Sequence, residues 1–179
     1  MARVPYAEPE DVPEEYRYLL TETDIGDAPL IRAFANNPPV LQSYMRWGTT
    51  LWNDSGVSPR RLELVILTVA SEMEAAYEWQ SHVETGLDQG LTREEVLAVR
   101  EGAYDELDDE DEALAEYALA VVREEVDDAL HEAMSEYFDD GTITGTALLA
   151  GHYVMTAKAI SALDIEIEGE FIGWELENL

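Results

Sequence analysis

Residues 62–70, LELVILTVA, are apolar nearly all round. A helix with that surface must be buried on every side, since any exposed face would leave aliphatic groups in water. The residues before it make a helix start. Ser58 suits the N-cap and Pro59 the first helical position, where no N–H is needed. This segment is expected to be the central and most buried helix, and a central helix needs others to cover it.

The rest of the chain supplies them. In NNPPVLQSYMRWGTTLW the prolines open a helix. LTREEVLAVREG sets Thr92 three residues before Glu95, a capping box, and offers Gly102 as a stop. Leu114, Tyr117, Ala118, Val121 and Val122 share one helical face, and Leu130, Ala133, Met134, Tyr137 and Phe138 repeat the spacing. A last long helix over about 142–163 is crowded with small residues (Gly145, Ala147, Ala150, Gly151, Ala157, Ala159) that permit close helix–helix approach. Only LDIEIEGE alternates with period two, and one short run makes no sheet. The class is all-α. Residues 1–26, rich in Pro and acids with Tyr6, Tyr16 and Tyr18, are expected to form an N-terminal arm wrapping the domain, with a short helix near 13–20. Residues 27–179 are expected to form the helical domain.

Charge then bounds the setting. Asp and Glu total 40 against 10 Lys and Arg, for a net charge of −30, and Lys158 is the sole lysine. The acids lie between apolar stripes rather than in one run, so the folded surface is acidic almost everywhere. Such a surface repels itself in dilute buffer. At ~1 M salt the Debye length falls to about 3 Å and the repulsion is screened. Few lysines with many acids is the pattern of a halophilic protein from a high-salt cytoplasm. No basic patch exists for nucleic acid. The chain has no cysteine, which excludes disulfides, thiolate catalysis and cysteine metal sites. No signal-peptide h-region or membrane-length apolar run is present, and a cytoplasmic location is expected.

Chemistry has few places to sit. In AAYEWQSH, residues 75–82, Glu78 and His82 are spaced i, i+4 on one helix face. A carboxylate there can fix the imidazole tautomer and raise its pKa for acid–base work, or the two can be a solvated pair. Glu63 interrupts the central apolar run beside Ile66, Leu67 and Ala70. It is either an inward carboxylate with a perturbed pKa or a solvent-reaching residue near a helix N-terminus. His152, placed with Leu148, Met155 and Ala159 on one face, is a satisfied core residue or a site residue. His131, beside Asp127 and Glu132, is a surface residue. Tyr77 and Trp79 flank Glu78 as walls or as packing. Glu63, Glu78 and His82 form a carboxylate-rich set for a metal if their helices face each other, but no Glu-x-x-His pair of the di-iron type is present. No metal and no cofactor are expected.

Residues 60–102, RRLELVILTVASEMEAAYEWQSHVETGLDQGLTREEVLAVREG, resemble the core motif of the carboxymuconolactone decarboxylase family, within the alkylhydroperoxidase D-like superfamily. The shared pattern is an Arg-x-x-Glu-Leu-Val start, an apolar helix, a motif ending in histidine, then Gly-Leu and an acidic helix start. NNPPVLQSYMRW resembles the preceding family helix and GHYVMTAKAISALDIEIE the closing one; the arm is not covered. The resemblance implies an all-helical subunit built around a central helix hairpin, assembling as a homo-oligomer, trimer or hexamer, with sites near subunit contacts. In the peroxidase branch, Cys-x-x-Cys precedes the histidine. Here those two positions fall on Ala75 and Glu78, so cysteine-based peroxide reduction is impossible. The decarboxylase branch has Glu-x-x-x-His instead, as Glu78 and His82 stand here.

The resemblance implies a cofactor-free lyase acting on a small lactone or carboxylic acid. His82 is then the general acid, Glu78 orients and charges it, Glu63 completes the relay, and Tyr77 or His152 hydrogen-bonds the substrate. One departure is that no arginine stands near the motif to clamp substrate carboxylates; Arg46, Arg60 and Arg61 are the candidates to reach it. The alternative is a non-catalytic oligomeric helical protein that retains the fold.

Overall fold

The computed structural model describes residues 2–179; Met1, the first residue of the expected arm, lies outside the described residues. Among the described residues nine α-helices run in order: α1 (Tyr18–Thr21), α2 (Pro29–Phe34), α3 (Pro38–Asp54), α4 (Pro59–Glu72), α5 (Ala76–Asp88), α6 (Arg93–Glu101), α7 (Asp109–Arg123), α8 (Asp128–Ser135) and α9 (Asp140–Leu163). There is no strand among the described residues. Likewise, none of their helices is long and apolar enough to cross a membrane.

Helix α4 is the centre, packed by α5, α6, α7 and α9, and every residue from Leu62 to Ser71 is buried. The start signals act as read: the Ser58 side chain accepts from the Arg61 N–H, and Pro59 begins the helix. Thr92 and Glu95 form their reciprocal box, and Gly102 closes α6 at φ +71. Helices α4 and α5 make a hairpin. In its turn the Ala75 N–H donates to Ala70 O at 2.8 Å while Glu74 takes φ +49. Gly86 brings the two helices close, since a Cβ there would meet Leu67 Cδ1 at 3.3 Å and Glu63 Cβ at 3.5 Å.

Helix α9 uses its small residues selectively. A Cβ at Gly145 would lie 2.0 Å from Ser55 O, so the end of α3 rests on that glycine, whereas Gly151 faces open space. The face predicted for His152 also differs. Leu148 and Met155 are 47% and 45% exposed, while His152 lies with Leu149, Tyr153 and Thr156 among the buried residues. With 100° per residue, the buried arc is centred near Tyr153; His152 is at its edge and Leu148 and Met155 just past it. Helix α8 stops at Ser135, short of the predicted stripe, leaving Tyr137 exposed. Asp139 must be extended to cap the Thr142 N–H of α9, so the chain cannot stay helical through it.

The two ends of the chain pack back on this bundle. Ala7, Val12, Leu19 and Leu20 share an apolar cluster with Ile31, Ala35 and Leu41. After α9, Ile165, Ile172 and Leu176 are buried, and the tail straps α5: Trp79 Nε1–H donates to Gly173 O at 3.1 Å, and Gln80 Oε1 accepts from Ile172 N at 2.7 Å.

Candidate active site

Glu63 projects from α4 at a position that is 0% exposed, toward α5. Its Oε2 lies 2.9 Å from His82 Nδ1. A carboxylate only accepts, so Nδ1 carries the proton in this pair, and Nε2 is the atom left to exchange protons. Glu78 Oε2 stands 3.6 Å from Nε2, too far for a hydrogen bond but near enough for Coulomb attraction. The imidazole is thus held between two carboxylates, with its side chain 13% exposed. Burial works against its charge, but the Glu63 hydrogen bond and the charges of Glu63 and Glu78 outweigh it, and the His82 pKa is raised. Burial raises Glu78 to about 7, with His82 partly offsetting. A histidine favoured in its charged form and a carboxyl poised near neutrality therefore stand side by side, an arrangement suited to general acid–base catalysis.

Sequence spacing alone points to Glu78 as the residue orienting His82. The fold gives the hydrogen bond to Glu63, because Gly86 brings α5 close to α4 at this level. Among the described residues, Glu63 Oε1 and Glu78 Oε1 are buried without a hydrogen-bond partner.

His82 and Glu78 open onto a cavity of about 500 Å³. Glu63 is not in its lining; it backs His82 from behind. Tyr77 lines the cavity, its hydroxyl accepting from the Leu30 N–H at 3.3 Å, and burial raises its pKa to about 12. His152 lines it too; burial lowers its pKa to about 4. Trp79 is absent from the wall and packs against Trp174, with ring centroids 5.5 Å apart. His131 is exposed, as expected. The remaining wall was not legible as a site. Tyr44, Gly48 and Trp52 of α3 line the cavity, and their i, i+4, i+8 spacing was the available signal. Trp52 Nε1–H donates to the Tyr153 hydroxyl at 3.1 Å, which fixes the floor between α3 and α9.

The three arginines that stand near in sequence do not reach this cavity. Arg60 pairs with Asp111 and Glu95, Arg61 with Asp111 and Glu110, and Arg46 is exposed on α3. No arginine or lysine lines the cavity. Among the described residues no group of three or more His, Asp or Glu side chains is placed to hold a metal ion.

An all-helical subunit of this architecture belongs to the AhpD-like fold. The chain superimposes on a peroxidase-related protein from Ralstonia eutropha JMP134 with an alkylhydroperoxidase AhpD core (TM-score 0.75, 15% identity, 97% of this chain and 96% of that one). A peroxidase-related protein from Silicibacter sp. TM1040 gives TM-score 0.79 at 20% identity, covering 95% and 92%. The debrominase Bmp8 gives 0.79 at 15% identity, covering 97% of each chain. No curated protein matches the sequence. Residues 38–124, which contain Glu63, Glu78 and His82, match the model of the carboxymuconolactone decarboxylase family.

Proposed function

We propose that this protein is a cofactor-free enzyme of proton-transfer chemistry, decarboxylation or a related reaction, on a small lactone or carboxylic acid. The observation that carries the reading is the His82 imidazole, hydrogen-bonded through Nδ1 to Glu63 and facing a cavity beside Glu78. Glu63 orients the ring and stabilises its charged form, as an orienting carboxylate does. Protonated His82 is the acid at Nε2. In a decarboxylation the carbon–carbon bond to the carboxylate breaks, its electron pair stays on the substrate carbon, CO2 leaves, and that carbon takes the Nε2 proton. Glu78, poised near neutrality, returns a proton to Nε2, and solvent re-protonates Glu78. Tyr77 and His152 are the substrate-binding groups of this reading.

The debrominase neighbour has been solved, in a cysteine-to-alanine form, with 2,3,4-tribromopyrrole. A small ring compound held by the same fold supports a small-molecule substrate here; this chain has no cysteine with which to do thiol chemistry. The reading includes a homo-oligomer, trimer or hexamer. Its support is the exposed apolar side chains Trp47 on α3 and Leu148 and Met155 on α9.

The test uses a panel of small lactones and monocarboxylic acids in D2O with ~2–3 M KCl, a range chosen for charge screening. NMR follows deuterium incorporation and CO2 release. Wild type is expected to turn over at least one member, and His82→Ala to do so about 10²–10⁴-fold more slowly. Turnover equal in the two proteins would remove His82 from the chemistry. A panel without turnover, with a His82 pKa left in place by Glu63→Gln, would favour the non-catalytic oligomeric protein.

A further inference from the structure

The cavity has two unlike ends. At one stands His82 with its carboxylates, and at the other His152 of α9. The Tyr153 ring lies between them, meeting His82 edge-on at 5.2 Å between centroids and His152 at 5.3 Å. His152 is 6% exposed, and its Nδ1 is buried without a partner. Its surroundings are uncharged: the Tyr44 ring at 5.0 Å, the Tyr153 ring, and Gly48, where a Cβ would sit 3.6 Å from Nε2. Burial holds the ring neutral at physiological pH. A buried polar side chain left unsatisfied is costly, and a neutral imidazole that lines a cavity can be completed by a ligand there, at Nε2 beside Gly48 rather than at the enclosed Nδ1. The rest of the lining is aromatic and aliphatic with four uncharged polar side chains, Thr49, Asn53, Ser81 and Thr85, and it has no arginine or lysine.

We infer that the substrate is a small ring compound carrying at most one negative charge, whose uncharged hydroxyl, N–H or carbonyl group is held by His152 while its reacting carbon faces His82. The inference rests on the acid–base reading of the site. One carboxylate can meet the protonated His82. A second would be taken out of water with no cation to receive it, because the cavity lining has none to offer. The net charge of −30 opposes a dianion further. The cavity therefore selects against the dicarboxylates that an arginine clamp would select for. Gly48 is the residue that leaves the approach to His152 open.

The experiment titrates the protein with phenol, benzoate and isophthalate, rings of similar size bearing zero, one and two charges. It is done in ~2–3 M KCl so that the surface charge is screened and the cavity decides. NMR of the histidine rings reports where each probe sits. Phenol is expected to shift the His152 resonances saturably, and isophthalate to bind about tenfold or more weakly. His152→Leu, which keeps bulk but removes both nitrogens, is expected to weaken phenol several-fold. Gly48→Ala is expected to weaken phenol while leaving or raising the melting temperature, since alanine favours the helix; lost binding in that variant is not lost folding. Isophthalate bound as tightly as phenol, or phenol binding unmoved by both variants, overturns the inference. His82→Ala is expected to leave phenol binding in place. Failed chemistry with phenol bound would therefore sink the proposed function alone, and His82-dependent turnover of dicarboxylates would sink this inference alone.

Discussion

At the residue scale, His82 and Glu78 set the behaviour with pH. The folded His82 pKa lies above its ordinary value because Glu63 hydrogen-bonds and attracts the charged ring against the cost of burial. Its contribution to stability is therefore full below about pH 6.5 and is lost as pH rises through the folded pKa. Glu63→Gln should lower that pKa, and the pH-dependent NMR shift of the His82 ring is the direct measurement. Glu78 adds a slope of the same sign. Its folded pKa is about 7 against an ordinary 4.5, so between those values the folded protein keeps a proton that the unfolded chain has released. Stability should fall across that window by about 3 kcal/mol, and Glu78→Gln should flatten the fall. Denaturant titrations at several pH values in high salt would show it. The sequence made both carboxylates visible, Glu63 because it broke an apolar run and Glu78 because of its spacing. It could not show which of them takes the hydrogen bond, since that depends on the distance between two helices.

At the element scale, that distance is set by the α4–α5 hairpin. Gly86 is where the helices come together, its neighbours being Leu67, Leu91 and the Glu63 Cβ. In Gly86→Ala the added methyl gains about 1 kcal/mol of helix propensity but must be fitted into a packed seam at about 1–3 kcal/mol. A net loss of about 1 kcal/mol is expected. Because α5 moves off α4, the His82 pKa should also drop toward its ordinary value; an unchanged pKa would show that Gly86 does not set the Glu63–His82 contact. The tail after α9 braces the other side of α5. Trp174 packs at a tilt against Trp79 and lies under the Arg100 guanidinium, 4.2 Å from the ring centroid. Trp174→Ala should cost about 3 kcal/mol in denaturant unfolding. Neither Gly86 nor the tail stood out in the sequence, because a glycine's use and a coil's docking are defined only by what lies opposite.

At the scale of the whole molecule, charge sets the conditions. With −30 spread over its surface, the protein is expected to unfold at a rising midpoint temperature as KCl goes from ~0.1 to ~2 M, where the Debye length falls from about 10 Å to below 3 Å. Sucrose at matched osmolality should not reproduce the rise, because it does not screen charge. A midpoint that ignores salt would remove the halophilic expectation. Sedimentation in the same salt tests the trimer or hexamer, and Leu148→Glu on the exposed side of α9 should weaken assembly without unfolding the subunit.

What the sequence determined alone were the properties carried by local pattern and composition. The buried α4 followed from its all-round apolar surface, the helix ends from their capping residues, and the absence of thiol chemistry from the lack of cysteine. The tertiary structure decided what depends on contacts between distant segments. It gave His82 to Glu63 across 19 positions of sequence, set Tyr153 of α9 between two imidazoles, and turned Arg60 and Arg61 away onto Asp111. Periodicity fixes which way a side chain leaves its own helix. Only packing fixes what it meets there.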